Sequence, residues 1–291
     1  MNGDYRQGML YLCATPIGNL SDISERVLDT LKSVDIIAAE DTRNSIKLLN
    51  HFEIKKPLTS YHEYNRFDKA NELIDKMREG ADVALITDAG TPAISDPGQV
   101  LTDMCHKAGI KVTSLPGPCA LITALTLSGF DSRRFVFEGF LPSDKKERCR
   151  ILDSLVNETR TVILYEAPHH LKATIRELYD TLGNRSIALC RELTKKFEEV
   201  SRMCLEDAVS YYEEHEPKGE YVLIIEGRSY DDIRKESIKD WLLLDINEHM
   251  NIYEQQGMDR KEAMKHVASD RGMTKREIYR MLLEDTDEKR S

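Results

Sequence analysis

The sequence predicts an α/β protein that has two α/β domains followed by a helical segment. Segments with the residue spacing of strands and of helices alternate from about residue 9 to residue 225, which is typical of βα units. The apolar run at 83–87 leads directly into the loop 88–98, as a buried parallel strand leads into a ligand-binding loop. Beyond Gly227 the strand pattern stops and only helical spacing continues.

The first domain is predicted over residues 1–130. Its strands are expected at residues 9–14, 35–39, 57–61, 83–87 and 110–115. Its helices are expected to begin near Ser24, Thr42 and Pro118, and to end near Gly80, Gly109 and Gly129. Thr42 is a candidate N-cap, as are its neighbours in the stretch 41–43. Such a domain forms a parallel sheet that is covered on both faces, with ligands beyond the carboxyl ends of the strands.

The second domain is predicted over residues 131–230, and a helical C-terminal segment over residues 231–291. Strands are expected at 135–137, 161–165, 186–190, 199–205 and 221–225, with helices at 143–157, 168–182 and 206–215. The C-terminal helices are expected at 238–250, 259–270 and 274–284. Gly272 is a candidate C-cap between the last two helices, and Thr274 with Glu277 forms a candidate capping box.

The composition is that of an ordinary globular protein, with 41% hydrophobic and 32% charged residues among 291. No apolar stretch approaches the roughly 18 residues that a membrane span needs. The first eight residues lack the layout of a signal peptide, so we expect a cytoplasmic protein without a membrane partner. The six cysteines are scattered without a C-x-x-C pair, which favours free, mostly buried thiols over a metal site.

The net charge of −10 argues only weakly against a nucleic-acid partner, because phosphate contacts depend on where Lys and Arg cluster. Two basic clusters occur, at residues 145–150 and 260–280. Ala268, Gly272 and Ile278 fall where helix-turn-helix units place a small residue, a turn glycine and a buried aliphatic residue. We therefore expect the C-terminal helices to contact RNA or the ribosome; the alternative is an amphipathic cap whose basic face is solvated.

The loop 88–98 has the residues of a ligand-binding loop. Gly90 and Gly98 let the backbone approach a ligand closely, and Pro92 and Pro97 stiffen the loop. The loop matches neither the dehydrogenase G-x-G-x-x-G nor the Walker G-x-x-x-x-G-K-[ST] pattern, which disfavours those two nucleotide sites. The alternative is a tight strand-to-helix turn.

Six short motifs occur in a specific order along the chain. They are Thr-Pro-Ile-Gly-Asn at 15–19, Ala-Glu-Asp-Thr-Arg at 39–43, the loop 88–98, Leu-Pro-Gly-Pro at 115–118, Tyr-Glu-Ala-Pro-His at 165–169 and Arg-Glu-Leu-Thr-Lys-Lys-Phe-Glu at 191–198. Together they resemble the small-subunit ribosomal RNA methyltransferase I family, a branch of the tetrapyrrole methylase superfamily. The resemblance runs from about Leu10 to Glu226.

The resemblance implies two α/β domains of tetrapyrrole-methylase type with S-adenosyl-L-methionine in the cleft between them, and a homodimer. It implies methyl transfer to the ribose 2′-oxygen of a cytidine, at position 1402 in customary numbering, in 16S rRNA of the small ribosomal subunit. The implied cofactor contacts are Pro16, Ala89, Gly90, Thr91, Ile94, Cys119, Ala120 and Tyr165. The family usually has Ser at the position of Cys119 and Arg at that of His170.

A ribose hydroxyl is a poor nucleophile, so a base that accepts its proton adds about 10²–10⁴-fold to the rate. We expect Glu166 to be that base, because it ends a buried strand where burial would raise a carboxyl pKa. Glu192, Asp88, His62 and His169 are further candidates, and the alternative role of Glu166 is to pair with Arg191 or to cap the helix at Pro168. No metal is required.

Polar residues just past predicted strands are candidates for holding the substrate. Arg43, Arg191 and Lys195 could bind phosphates or the ribose, with surface ion pairs as the alternative. His62, Asn65 and His169 are further candidate substrate contacts, with loop hydrogen bonding as the alternative for the first two.

Two other functions remain open. One is a tetrapyrrole C-methyltransferase of the same fold. The sequence at 89–92 argues against it, because Ala-Gly-Thr-Pro stands there in place of the superfamily's usual Gly-Asp-Pro. The other is an RNA-binding ribosome-assembly factor without turnover.

Overall fold

The computed structural model describes residues 6–288. These residues form two compact units, one of residues 6–153 and 160–226 and the other of residues 154–159 and 227–288. Residues 1–5 and 289–291 lie outside the described residues. The predicted start of the first domain, the predicted end of the C-terminal segment and part of the stretch compared with a signal peptide therefore also lie outside them.

The larger unit begins with a five-stranded sheet whose strand order is β3-β2-β4-β1-β5. Its strands are β1 (Met9–Cys13), β2 (Ile36–Ala39), β3 (Leu58–Ser60), β4 (Val83–Ile86) and β5 (Lys111–Leu115). The helices that follow them are α1 (Glu25–Ser33), α2 (Thr42–His51), α3 (Arg66–Arg78), α4 (Gly98–Lys107) and α5 (Ala120–Ser128). Every neighbouring pair of strands is parallel, so the predicted parallel sheet is confirmed.

Both faces of this sheet are buried, because alternate side chains of each strand enter different cores. In β4, Val83 and Leu85 pack in one hydrophobic cluster, while Ala84 and Ile86 pack in another. The first cluster includes residues of α3 and α4, and the second includes residues of α1 and α2. This two-sided burial explains why the strand appears in the sequence as an uninterrupted apolar run.

The loops that follow β1 and β4 are joined by a pair of backbone hydrogen bonds. Thr15 N donates to Gly90 O over 2.9 Å, and Gly90 N donates to Thr15 O over 3.1 Å. The Thr15 hydroxyl, which is buried, also donates to Thr87 O over 3.1 Å. The two loops are thereby held at the carboxyl edge of the sheet, beside the central strands.

The second sheet of the larger unit is mixed, with the strand order β6-β7-β10-β8-β9. Its strands are β6 (Phe135–Phe140), β7 (Thr161–Glu166), β8 (Ser186–Arg191), β9 (Glu199–Cys204) and β10 (Tyr221–Ile225), with helices α6 (Lys145–Ser154), α7 (Pro168–Leu182) and α8 (Leu205–Glu214). Only β6 and β7 are parallel; the other pairs are antiparallel. Helix α5 packs on this sheet through Leu121, Ala124 and Leu125.

The smaller unit contains four helices: α9 (Tyr230–Leu243), α10 (Ile246–Gln255), α11 (Arg260–Asp270) and α12 (Lys275–Glu288). The prediction of a single helix at 238–250 is wrong, because the helix is interrupted at Leu244 and Asp245. Asp245 is the N-cap of α10, where its side chain accepts hydrogen bonds from Asn247 N and Glu248 N. The apolar spacing continues across this break, so periodicity alone predicted one helix.

The turn between α11 and α12 has the predicted capping chemistry. Gly272 has a φ of +63°, and Met273 N donates to Ala268 O over 2.8 Å. Thr274 N donates to a Glu277 carboxylate oxygen over 2.7 Å, and Glu277 N donates to the Thr274 hydroxyl over 3.3 Å, which confirms the capping box. Ala268 and Ile278 are buried, as a helix-turn-helix arrangement requires.

Arg271 is buried rather than part of an exposed basic cluster. Its Nε donates to His249 Nδ1 over 3.1 Å, and a terminal nitrogen donates to Leu244 O over 2.6 Å. The His249 ring stacks on Trp241, and burial lowers the pKa of His249. Arg271 therefore joins α9, α10 and α11 internally, and the basic surface of this segment is smaller than the sequence suggested.

The structure also tests the predictions for the start of α2 and for the cysteines. Asp41, not Thr42, is the N-cap of α2, since its carboxylate accepts from Arg43 N over 2.8 Å, which confirms the alternative that the stretch 41–43 caps this helix. The six cysteines are free, but only Cys13, Cys105 and Cys190 are buried. No group of His, Cys, Asp and Glu among residues 6–288 could hold a metal ion. None of the described helices is long and apolar enough to cross a membrane.

Candidate active site

The main cavity of the larger unit has a volume of about 580 Å³. It is lined by the loops that follow β1, β2, β4 and β5, and by residues of β7, β8 and β10 with their adjoining loops. Seven of the eight expected cofactor contacts line it: Ala89, Gly90, Thr91, Ile94, Cys119, Ala120 and Tyr165. Three of the five candidate bases, Asp88, Glu166 and Glu192, also line it, and so does Lys195. Motifs that lie far apart in the sequence therefore meet at one cavity.

Two loops at this cavity have unfavourable backbone conformations. Five non-glycine residues in the described part of the chain have a positive φ, and four of them are Ala93, Ser95, Glu192 and Thr194. Each such conformation lowers the stability of the folded protein by about 1–3 kcal/mol, and these conformations are concentrated at functional sites. In the first loop, Asp96 compensates by accepting hydrogen bonds from Ala93 N over 3.0 Å and Gly98 N over 2.7 Å.

Gly90 provides a place where backbone can approach a ligand. It has a φ of +91°, and a Cβ added there would lie 3.4 Å from Ile17 Cγ2 and 3.7 Å from Pro118 O. The neighbouring Thr91 hydroxyl donates to Pro118 O over 2.9 Å, which ties the loop after β4 to the loop after β5. Both loops therefore form one continuous wall.

Tyr165 forms part of the apolar side of the cavity. Its ring makes edge contacts with Phe137 and Phe140, with ring centroids 5.0 and 5.5 Å apart. Burial raises the pKa of Tyr165 to about 12, so its phenol stays neutral at physiological pH. Cys119, Ile94 and Val222 extend this apolar surface. The wall suits a flat, uncharged ring system.

Glu166 lies at the end of β7 with 6% of its surface exposed. One carboxylate oxygen accepts from Ala167 N over 2.8 Å, and the other accepts from the Thr174 hydroxyl. These contacts tie the carboxylate to Ala167 and to the middle of α7, but they are not a helix cap, since the N-cap Ala167 has no side-chain capping hydrogen bond. Arg191 does not pair with it; its guanidinium forms an ion pair with Glu199 over 2.8 Å.

Lys195 and two carboxylates form an ion network at the cavity edge. Lys195 Nζ lies 2.9 Å from a Glu192 oxygen and 2.8 Å from a Glu220 oxygen. Hydrogen bonds from Lys195 and from Glu220 N lower the pKa of Glu192. Burial opposes the charge of Lys195, but the hydrogen bonds to Glu220 and Glu192 outweigh it and raise the pKa of Lys195. Both pKa shifts favour the charged forms of Glu192 and Lys195.

The remaining expected residues lie outside the main cavity. Arg43 is exposed and pairs with Asp41 over 2.7 Å, which lowers the pKa of Asp41 to about 2. Asn65 accepts from His62 N over 2.8 Å and donates to Ser60 O over 3.3 Å, as the loop alternative predicts. His169 is exposed and lies against the ring of His170. Pro16 lines a second, smaller cavity.

Three carboxylates that line the main cavity were missed by sequence reasoning. Glu40 follows β2 and accepts from the Thr87 hydroxyl over 2.8 Å; its place after a strand was an available signal. Asp96 lies inside the loop 88–98, which was also an available signal. Glu220 precedes β10 in a polar stretch, and only the fold brings it to Lys195. The cavity thus combines apolar walls with an acidic edge, which fits a ligand that carries positive charge.

Comparisons with known proteins agree with this geometry. The family model of the tetrapyrrole (corrin/porphyrin) methylases matches residues 9–209. The chain is 48% identical over 273 residues to the ribosomal RNA small subunit methyltransferase I of Halalkalibacterium halodurans, and the match covers 94% of each chain. It is 45% identical over 281 residues to the protein of the same name from Synechocystis sp., covering 95% of this chain and 98% of that one.

Among solved structures, the uroporphyrin-III-C-methyltransferase from Thermus thermophilus has the same fold. The TM-score is 0.54 at 19% identity, and the match covers 76% of this chain and 94% of that chain. The predicted α/β fold of tetrapyrrole-methylase type is therefore confirmed. The chain belongs to the tetrapyrrole (corrin/porphyrin) methylases and, within them, to the ribosomal RNA small subunit methyltransferase I family.

Proposed function

We propose that this protein is an S-adenosyl-L-methionine-dependent methyltransferase that modifies the ribose 2′-oxygen of a cytidine in 16S rRNA. The observation that supports it most strongly is the cavity of about 580 Å³, in which the family's motif loops converge. Near-full-length relatives named as small-subunit rRNA methyltransferases support the class of reaction and of substrate. We place its action in the cytoplasm, on the small ribosomal subunit.

The residues of the main cavity fit the proposed methyl donor. The apolar wall formed by Ile94, Tyr165 and Val222 suits an adenine ring, and the bare backbone at Gly90 leaves room that a side chain would fill. The carboxylates of the cavity, among them Glu40 and Asp96, suit the positive charges of a sulfonium and an amino group. The cavity volume lies within the range of small-molecule sites.

The bound donor supplies an electrophilic methyl group, so the protein must chiefly position the ribose hydroxyl and receive its proton. Positioning alone contributes several kcal/mol in reactions of this kind. We keep Glu166 as the proposed proton acceptor, because it is a buried carboxylate on the cavity wall. Its hydrogen bonds to Thr174 and Ala167 fix its orientation and make a positioning role the alternative.

The tetrapyrrole alternative has less support. Uroporphyrin methyltransferases share the fold at low identity, and that similarity carries no information about substrate. The near-full-length relatives at 45–48% identity are named for rRNA. A ribosome-assembly factor without turnover would not need a cavity with this combination of apolar wall and acidic edge. The homodimer stays a prediction, which light scattering in solution can check.

We also propose that the C-terminal helices contact the ribosomal RNA. Helix α12 carries Lys275, Arg276 and Arg280 on its exposed surface, although Arg271 is buried. The buried Ala268 and Ile278 and the turn at Gly272 support a helix-turn-helix-like arrangement. Such units present their second helix to nucleic acid.

The first prediction concerns the reaction itself. Mass-spectrometric mapping of 16S rRNA from cells that lack the gene should show one cytidine without its ribose methyl group. Restoring the gene should restore the methyl group, and purified protein should transfer tritiated methyl from the donor to the unmodified subunits. An unchanged map together with an absence of transfer would contradict the proposed function.

The second prediction concerns Gly90. Gly90→Val should weaken binding of the methyl donor by at least tenfold in calorimetry, since the side chain would occupy the approach to the ligand at a φ of +91°. The matched control is Gly109→Val, because Gly109 has a φ of +71° and no atom within 4 Å of an added Cβ. Equal affinity in both variants would show that the donor binds elsewhere.

The third prediction concerns Glu166. Glu166→Gln should lower the turnover number by about 10²–10⁴-fold, because the amide cannot accept the proton, while donor affinity stays near normal. Thr174→Val is the control, since it removes a hydrogen bond to the same carboxylate without removing the base. Undiminished turnover in Glu166→Gln would remove Glu166 as the base, and an equal loss in both variants would assign it a positioning role.

The fourth prediction concerns α12. Replacing Arg276 and Arg280 by Gln should weaken association with small subunits several-fold and reduce its salt dependence, because phosphate contacts release counterions. Donor affinity should not change. The control replaces Arg234 and Lys239 of α9, which are also exposed, by Gln. Equal binding of both variants in filter assays would favour a merely solvated basic face.

A further inference from the structure

A second cavity of about 430 Å³ lies beside the main one. It is formed by the loop after β1, by α2 and by the end of β4, and it shares Thr87 and Asp88 with the main cavity. A ligand that contacts Asp88 in this smaller cavity therefore lies next to a ligand bound in the main cavity. Two residues of this cavity were expected at a functional site, Pro16 as a cofactor contact and Asp88 as a candidate base.

One residue of this smaller cavity's lining has an unpaired buried hydroxyl. Ser45 is 4% exposed and lines the cavity, and its Oγ has no hydrogen-bond partner. A serine inside a helix ordinarily donates to the carbonyl four residues earlier, as Thr30 of α1 does to Arg26 O. Leaving a buried hydroxyl unpaired costs about 1–3 kcal/mol. A polar ligand in the smaller cavity would remove that cost.

The wall that the two cavities share is polar and fixed. One Asp88 oxygen accepts from Asn44 Nδ2 over 3.1 Å, and the other accepts from Asp41 N over 3.2 Å. Both oxygens keep a lone pair for a further donor, such as a sugar hydroxyl. At the outer side of the cavity, Lys47 and His51 project from α2 and are exposed. The lining of the cavity therefore combines basic side chains with polar groups.

We propose that the smaller cavity binds one nucleotide of the RNA substrate, with its phosphate at Lys47 and its sugar against Ser45 and Asp88. A nucleotide has the matching order of groups: an anion at one end and hydroxyl donors and acceptors next to it. Enzymes that modify a base commonly turn the whole nucleotide out of its stack into a pocket, which is a precedent for a site of this size. The inference rests on the proposed function, because it assumes that RNA is the substrate.

The test compares two double variants. Ser45→Ala with Lys47→Ala should weaken binding of unmodified small subunits, measured without methyl donor, by about fivefold for the lost hydroxyl contact. The slope of log affinity against log salt should fall by about one for the lost phosphate contact. The melting temperature should stay equal or rise, because Ser45→Ala removes an unsatisfied buried group.

The control replaces Lys32 and Ser33 by Ala. These residues end α1, which leads to the start of β2 and so lies at the opposite edge of the parallel sheet. Subunit binding and its salt dependence should remain those of the unchanged protein. Donor affinity, measured by calorimetry, should be normal in both double variants.

The outcomes separate the two proposals. If the unchanged protein methylates subunits but the Ser45 and Lys47 variant binds them with normal affinity and normal salt dependence, the nucleotide site is wrong and the proposed function stands. If the unchanged protein neither binds nor methylates subunits, the proposed function fails first. A loss of subunit binding accompanied by a lower melting temperature would also overturn the inference, since it would indicate damage to the fold.

Discussion

The reciprocal hydrogen bonds between Thr15 and Gly90 are the contact on which the site depends most. They join the loops after β1 and β4 at the carboxyl edge of the first sheet. Because Gly90 has a φ of +91°, the loop can turn there and leave backbone, rather than a side chain, at the main cavity. Ile17 and Gly90 then line the main cavity, while Thr87 and Asp88 line both cavities.

The opposite wall is positioned by α5. This helix follows the last strand of the first sheet yet packs, through Leu121 and Leu125, on the second sheet. Tyr165 and Glu166 at the end of β7 are thereby brought to the loops of the first sheet. Glu192, which has a positive φ, contributes from the loop after β8. Two sheets with different topologies thus share one cavity within one compact unit.

Sequence patterns predicted those features whose causes are local. The apolar run of β4 indicates burial on both faces of the sheet. The pair Thr274 and Glu277 indicates the start of a helix. Features that depend on distant partners could not be predicted. Lys195 meets Glu220 only because β8 and β10 are paired, and Ser45 is unsatisfied only because no neighbouring group reaches it. The break at Asp245 was missed because apolar spacing continues across it.

The proposed function requires that the methyl donor bind in the main cavity. The most direct measurement is a crystal structure of the protein with S-adenosylhomocysteine. We expect the adenine to lie against Tyr165 and Val222, with the backbone of residues 89–91 in contact with the nucleoside. An empty main cavity, with the nucleoside ordered at another surface, would contradict the account.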